Sequence, residues 1–461
     1  MSNISSVIFK AYDIRGIVDV TLTTDAVRAI GQALAALALA RQCDTIVCGR
    51  DGRLSGERFS TALIDGITAM GVNVVDIGMV TTPMVYFAAH HLETRCGVMV
   101  TGSHNPPQYN GLKMVIGGET LSGETIQSLR KCIERDDIHT AVTRGNILQY
   151  DIAPAYFDRI AADIHLARSL KIIVDAGNGV AGAFAPTLYR RLGCVVEPLF
   201  CDVDGSFPNH HPDPSHPDNL QILISRLKNG DAELGLAFDG DGDRLGVVTP
   251  YGNIIYPDRQ LMLFATDLLE RAPNATIIYD IKSTRLLAPW IRAHGGVPLM
   301  WKTGHSLIKA KMKETGALLA GEMSGHLFFG ERWYGFDDGV YAGARLLEIL
   351  SRHDNAATTL DALPNSLATP ELTIPCTREN EQHEIVACLQ REMRFPSARE
   401  VIHIDGVRVE YDDGFGLARA SNTTPAIVLR FEADSQEVLI RIRNEFKTQI
   451  LRVAPDISFP S

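Results

Sequence analysis

Apolar and polar positions follow two rhythms along this chain. Ala26 to Ala40 and Gly56 to Met70 place apolar residues three and four apart, the spacing of a helix with one buried face. Asp44 to Cys48, Val72 to Ile77 and Cys96 to Val100 are short apolar runs that predict strands. The last run breaks into the polar loop Thr101-Gly102-Ser103-His104-Asn105-Pro106-Pro107-Gln108-Tyr109-Asn110-Gly111 and leaves it through Leu112 to Ile116. A strand that ends in Gly, Ser, Asn and Pro offers amides and a hydroxyl where open α/β sheets bind ligands.

The succession returns twice. Strand Lys171 to Asp175, helix Val180 to Leu192, strand Val195 to Phe200, helix Asn219 to Lys228 and strand Leu234 to Phe238 lead into Asp239-Gly240-Asp241-Gly242-Asp243-Arg244. Strand Ala275 to Ile281, helix Ser283 to Ala293, strand Val297 to Trp301, helix His305 to Glu314 and strand Leu318 to Ala320 lead into Gly321-Glu322-Met323-Ser324-Gly325-His326. Three β-α-β-α-β runs, each ending in a chemically dense loop, predict three related α/β domains over 1–148, 149–252 and 253–363. Around Pro364 and Pro370 the chain turns linker-like. Helix Glu379 to Met393, strands Val401 to Tyr411 and Ala426 to Phe431, and helix Ser435 to Gln449 then predict a small α+β domain over 364–461, with Arg419 to Pro425 as a turn between two strands.

The content of 45 % hydrophobic and 21 % charged residues is that of a globular protein, and the net charge of −11 argues against a general nucleic-acid or anionic-membrane partner. Eight cysteines without a C-x-x-C spacing read as reduced core thiols. The amino terminus lacks a basic start and a long apolar segment, and the most apolar helix, Ala29 to Ala40, is too short to span a bilayer. A cytoplasmic protein is expected.

The three aspartates of the second loop alternate with glycines, so three carboxylates can converge, and they would repel one another without a cation. Oxygen-only ligands point to Mg²⁺ or Ca²⁺ rather than zinc. An EF-hand fails, because its required glycine falls on Arg244 and its bidentate glutamate on Pro250. With only three carboxylates, Mg²⁺ wants another oxygen, and a phosphoryl group is the usual source. Ser103 cannot be activated by its neighbour His104 as in a hydrolase, since adjacent side chains on extended chain point opposite ways. Arg419-x-Ser421-Asn422-Thr423 offers a guanidinium, hydroxyls, an amide side chain and main-chain N–H groups suited to a phosphate. Glu322, Ser324 and His326 alternate as partners for vicinal hydroxyls, while Lys282, His305 and Arg244 add cationic groups at other strand ends. No G-x-G-x-x-G or G-x-x-x-x-G-K-[ST] is present, so nucleotide binding is not supported.

Taken in order, these loops resemble the α-D-phosphohexomutase family, most specifically at Thr101-Gly102-Ser103-His104-Asn105-Pro106 with Asn110-Gly111-x-Lys113, at Asp239 to Arg244, at Gly321 to His326 and at Arg419-x-Ser421-Asn422-Thr423. Met323 is similar to the bacterial phosphomannomutase/phosphoglucomutase branch, where the glucosamine branch usually carries Gln. The resemblance implies four domains in a heart-shaped arrangement around a central cleft. It implies that Ser103 is carried as phosphoserine, that Asp239, Asp241, Asp243 and a phosphoserine oxygen hold one Mg²⁺, and that His104, Arg15, Lys113 and Arg244 attend the reacting end. Lys113 is preferred to Arg15 as proton acceptor because lysine releases its proton more readily. Tyr12, Lys282, His305, Glu322, Ser324 and His326 would meet the sugar, and Arg419, Ser421, Asn422 and Thr423 the non-reacting phosphate. The implied reaction interconverts mannose or glucose 1- and 6-phosphates through a hexose 1,6-bisphosphate, in a monomer. A phosphoglucosamine mutase, a metal-dependent sugar-phosphate phosphatase and a non-catalytic sugar-phosphate sensor are the competing readings.

Overall fold

Thr23 starts the first long helix, Thr24–Ala40, by accepting the Ala26 amide at 3.2 Å. Val27, Ile30, Leu34 and Ala38 then share one buried face, against which helix Gly56–Ala69 packs. Both flank a mixed sheet. The computed structural model describes residues 4–135, 140–378, 380–422 and 424–460. Glu379 and Thr423 lie outside these residues.

The first three sheets repeat one wiring. In the first, Thr45–Arg50 is flanked in parallel by Asn73–Met79 and Gly97–Val100, and Tyr109–Ile116 returns antiparallel on the latter. In the second, Lys171–Asp175 lies between Val195–Leu199 and Leu234–Phe238, with Leu245–Val248 antiparallel on the third strand. The third sets Thr276–Asp280 between Val297–Trp301 and Leu319–Gly321, with Leu327–Phe329 returning. Each chemically dense loop is therefore the link between a third parallel strand and its antiparallel return. The first sheet adds Ile14–Ile17 beside Tyr109–Ile116, which brings Arg15 opposite Gly111, and an edge strand Ile147–Gln149 that spans the division expected after 148. The fourth sheet is antiparallel, ordered from Leu367–Ala368 through Ala426–Ala433, Gly414–Ala420 and Val407–Glu410 to Glu400–Ile402.

Several elements differ from the sequence reading. The strand expected over Val401 to Tyr411 is a hairpin, turned just before Gly406, whose φ of +93° suits glycine. Arg419 belongs to strand Gly414–Ala420 rather than to the turn, so the turn begins at Ser421. The helix expected from Val180 is a short 3₁₀ turn, Val180–Ala183, followed by Ala185–Arg191, whose start carries Pro186. Similarly, Pro217–Leu220 is a 3₁₀ turn before helix Gln221–Lys228. Helix Leu287–Ala293 starts late because Ser283 and Thr284 turn their hydroxyls to Asp280 and Glu432. Helices Thr82–His91 and Gly339–Ser351 add to the expected elements, and nearly every residue of both is buried.

One apolar core runs from helix Thr82–His91 through Tyr156, the second sheet and helix Gly339–Ser351 to the third sheet. The C-terminal sheet has its own core, closed by Phe395, Phe431 and Phe446 under helices Glu381–Glu392 and Gln436–Val453. It meets the third sheet's loops largely through polar side chains: Arg408 donates to the carbonyls of Ile281 and Ser283, and Glu432 accepts the Thr284 hydroxyl at 2.8 Å. Among the described residues, no helix is long and apolar enough to cross a membrane.

Candidate active site

The three dense loops and the last turn open on one cleft of about 770 Å³, lined among others by Arg15, Ser103, Arg244, Glu322 and Arg419. At its floor Ser103 adopts φ +48°, a left-handed conformation that costs a residue with a Cβ on the order of 1–3 kcal/mol. Its hydroxyl donates to Asp239 Oδ2 at 3.0 Å and lies 3.2 Å from His104 Nδ1. Sequence reasoning expected adjacent side chains to diverge; the left-handed turn at Ser103 is what lets His104 fold back.

The glycines of the acidic loop serve close approach. A Cβ on Gly240 would stand 2.3 Å from the Ser103 carbonyl oxygen, and Gly242 takes φ +75°. Asp239, Asp241 and Asp243 are all fully buried. Asp239 Oδ1 accepts the amides of Asp243 and Arg244 at 3.1 and 3.2 Å. Burial and the carboxylates of Asp241 and Asp243 hold the Asp239 carboxyl well above its ordinary range. Asp241 moves the other way: burial opposes ionisation, but the Lys113 ammonium outweighs it.

Ligand atoms of these three aspartates lie within 4.8 Å of one another, and Asp241 Oδ1 and Asp243 Oδ1 are buried without a hydrogen-bond partner among the described residues. An all-oxygen donor set with unpartnered oxygens and a hydroxyl alongside fits Mg²⁺.

Cations surround this floor. Lys113 donates to Asp241 Oδ2 at 2.7 Å and also to Asp243. Burial works against its charge, yet Asp241, Asp243, Asp239 and Asp337 together raise its pKa. In this geometry the Lys113 ammonium is held by two carboxylates of the acidic loop. Arg15 donates to the Gly102 carbonyl at 2.6 Å, to Asn105 Oδ1 and to Asp13, so it also buttresses the serine loop. Arg244 Nε donates to His326 Nε2 at 3.1 Å, and His326 Nδ1 lies 3.0 Å from Asp337 Oδ2. His326 thus sits with the reacting cluster, bridging Asp337 and Arg244. His104 is half-buried in the cleft lining, and desolvation first and Arg244 second hold its pKa well below the usual value.

The other expected residues gather across the cleft. Glu322 accepts the Gly304 amide at 3.0 Å and the Ser324 hydroxyl at 3.1 Å, and burial raises its carboxyl. His305 starts helix His305–Thr315, stacked 5.5 Å from His326. Lys282 pairs with Glu371 at 2.9 Å, and Arg419 with Asp405 at 3.0 Å. Ser421 Oγ lies 3.0 Å from Thr424 Oγ1. Asn422 donates to the Tyr12 hydroxyl, which itself donates to the Thr303 carbonyl at 2.8 Å, so Tyr12 ties the first segment to the third and fourth.

Sequence reasoning missed the carboxylates beneath these loops. Asp51, Asp175 and Asp280 end the central strand of the first three sheets, each at most 1 % exposed. Asp51 accepts the Gly102 amide at 3.3 Å and Asp280 the Met323 amide at 3.1 Å, both in the loop after the third strand. Asp175 takes His210 at 3.0 Å. The signal was an aspartate closing the first strand of every pass.

Comparisons with known proteins agree with this architecture. The phosphoglucomutase/phosphomannomutase alpha/beta/alpha domains I, II and III match residues 6–139, 154–252 and 256–367, and the C-terminal domain of the same family matches 371–449. A phosphoglucomutase of Neisseria gonorrhoeae is 58 % identical over 460 residues, covering 100 % of both chains. A phosphomannomutase/phosphoglucomutase of Pseudomonas aeruginosa is 55 % identical over 98 % of this chain and 97 % of its own. A solved phosphoglucomutase/phosphomannomutase family protein from Burkholderia thailandensis superposes with a TM-score of 0.94 at 55 % identity, over 99 % of this chain and 100 % of that one. Four matched domains and two full-length relatives place this chain in the phosphoglucomutase/phosphomannomutase family.

Proposed function

We propose that this chain is an isomerase that interconverts the 1- and 6-phosphates of glucose and of mannose, with Ser103 as the phosphoryl carrier and a hexose 1,6-bisphosphate as intermediate. The observation that carries the reading is the convergence of three buried carboxylates, Lys113 and Arg244 around a strained serine hydroxyl at the floor of a four-sided cleft.

The hydroxyl oxygen of a hexose phosphate attacks the phosphorus of phospho-Ser103, the P–Oγ bond breaks, and the hydroxyl proton ends on Ser103 Oγ, which leaves as the neutral serine. The bisphosphate turns end for end, Ser103 Oγ attacks its other phosphoryl group, its proton passes to the departing sugar oxygen, and the isomeric monophosphate departs. Positioning and charge neutralisation dominate such transfers. Asp239, Asp241 and Asp243, with a phosphoserine oxygen, would hold a Mg²⁺ ion, which would supply Lewis-acid charge neutralisation at the transferring group. Lys113 and Arg244 add fixed positive charge there. His104, kept neutral, hydrogen-bonds Ser103 Oγ as its bond to phosphorus opens. Across the cleft Arg419, Ser421 and Asn422 hold the non-reacting phosphate, with Lys282 and His305 opposite, while Glu322 and Ser324 take sugar hydroxyls. A cation on each wall lets either end of the bisphosphate be accepted.

Incubation of glucose 1-phosphate with Mg²⁺, with and without a trace of glucose 1,6-bisphosphate, tests the reading. Glucose 6-phosphate should form faster with the bisphosphate and without release of inorganic phosphate, and mannose 1-phosphate should behave alike. Phosphate release without isomerisation would instead indicate a phosphatase.

A further inference from the structure

The turn at Ser103 is closed within the motif by the Asn105 amide on the Gly102 carbonyl at 2.9 Å, and it is held from outside the motif as well. The Thr101 hydroxyl accepts the Ser103 amide at 2.8 Å and donates to Asp51 Oδ2 at 2.7 Å. The Ser103 carbonyl accepts Arg53 Nη2 at 2.8 Å. The same guanidinium donates to the carbonyls of Asn105, Pro106 and Tyr109 at 2.5, 2.7 and 2.9 Å. One side chain thus satisfies four main-chain oxygens along a single loop. A guanidinium can do this with its rigid fork, whereas an ammonium has three donors on one atom.

Asp51 completes the arrangement. It accepts the Gly102 amide at 3.3 Å and the Arg53 amide at 3.0 Å, and its Oδ2 lies 3.3 Å from Arg53 Nε. Asp51 and Arg53 are 1 % and 2 % exposed, and neither lines the cleft. The guanidinium lies so flat on the loop that a Cβ on Gly102 would stand 2.4 Å from Arg53 Cζ. Phe207, from the second sheet's side, covers it at 5.2 Å from ring centroid to Cζ.

A strained backbone persists where its surroundings over-determine it. Here the Ser103 amide is held through Thr101 by Asp51, and its carbonyl directly by Arg53. We propose that Asp51 and Arg53 are positioning residues for phosphoryl transfer: they fix the left-handed turn at Ser103 that aims Oγ at Asp239, and so set the rate of the chemical step rather than substrate affinity. This rests on the reading of Ser103 as the phosphoryl carrier.

The test compares Arg53→Lys and Thr101→Val with the parent enzyme. It measures kcat and KM for glucose 1-phosphate in Mg²⁺ and bisphosphate, the melting temperature, and the ³¹P resonance of phospho-Ser103. For folded variants, kcat should fall on the order of 10²-fold, the loss that an ångström-scale misplacement produces. KM should stay within about threefold, and the ³¹P resonance should shift. A folded Arg53→Lys protein with parental kcat and an unmoved resonance would overturn the proposal, whatever its melting temperature. Should Arg53→Lys not fold, Thr101→Val decides alone, since it keeps the side-chain volume and removes only the hydroxyl between Asp51 and the Ser103 amide. A parent that shows no phosphoserine resonance and no isomerisation would remove the carrier role itself, and this proposal with it.

Discussion

The two ends of the cleft are built in different ways. At the Ser103 end, groups from the first two sheets are buried, mutually paired and backed by an apolar core continuous through three sheets. At the Arg419 end, residues of three segments, the last with a core of its own, meet through polar bridges: Tyr12 on Thr303 and Asn422, Asp405 on the Thr303 amide at 3.1 Å, Lys282 on Glu371. The difference separates two needs. Charge neutralisation works best when it is preorganised. A bisphosphate that must turn around needs an anchoring wall that opens and closes.

The largest expected effect is at the preorganised end. Ser103→Ala should lower turnover at least about 10⁴-fold, while calorimetry should still find hexose phosphate bound through the opposite wall. Asp241→Asn should come next, with activity down roughly 10²–10³-fold and Mg²⁺ affinity lost in parallel when titrated by calorimetry. An Asp241→Asn protein with parental metal affinity would break the comparison, because the floor would then not be a metal-organised unit.

Arg419→Ala should do the opposite: KM for hexose phosphate should rise about 10- to 100-fold, as befits a charge-assisted bond of roughly 1.5–3 kcal/mol, with Mg²⁺ binding unchanged. Tyr12→Phe sharpens the contrast further. It removes one hydroxyl bridge between segments, on the order of 0.5–1.5 kcal/mol, so kcat/KM should fall several-fold and Ser103 phosphorylation should be unaffected. The smallest effect is expected at Pro364→Gly. Arg259 already pins the carbonyls of Leu363 and Pro364 at 2.8 and 3.1 Å, so the stretch free to flex begins beyond Pro364. Added chain freedom on the order of 0.4–1 kcal/mol should then slow turnover by only a few-fold, and more than it weakens metal binding. Equal losses in both assays would contradict a wall that opens and closes on this linker.

What was legible in the sequence follows the same division. Strands Lys171–Asp175, Leu234–Phe238 and Val297–Trp301 are short apolar runs bounded by turn residues, and the structure places them where the pattern did. The three loops were visible because glycine, serine and aspartate stand out at the end of an apolar run. Helix Thr82–His91 was not, since burial of its first eight residues on every side erases the period on which such reading depends. Nor were Asp51, Arg53, Asp280 and Asp337, whose work is done by contacts between residues far apart in the chain: Arg53 meets Tyr109, and Asp337 meets Lys309 and His326. The pairing of Lys113 with Asp241 and Asp243 was hidden for the same reason, since it joins two sheets.

The most direct measurement is a single turnover of the enzyme with glucose 1,6-bisphosphate carrying labelled phosphorus, followed by intact mass and peptide mapping. The account predicts one labelled phosphoryl group on Ser103 in the parent, none in Ser103→Ala, and one in Arg419→Ala at saturating bisphosphate. Label on another residue, or an isomerising enzyme that never acquires it, would contradict the account.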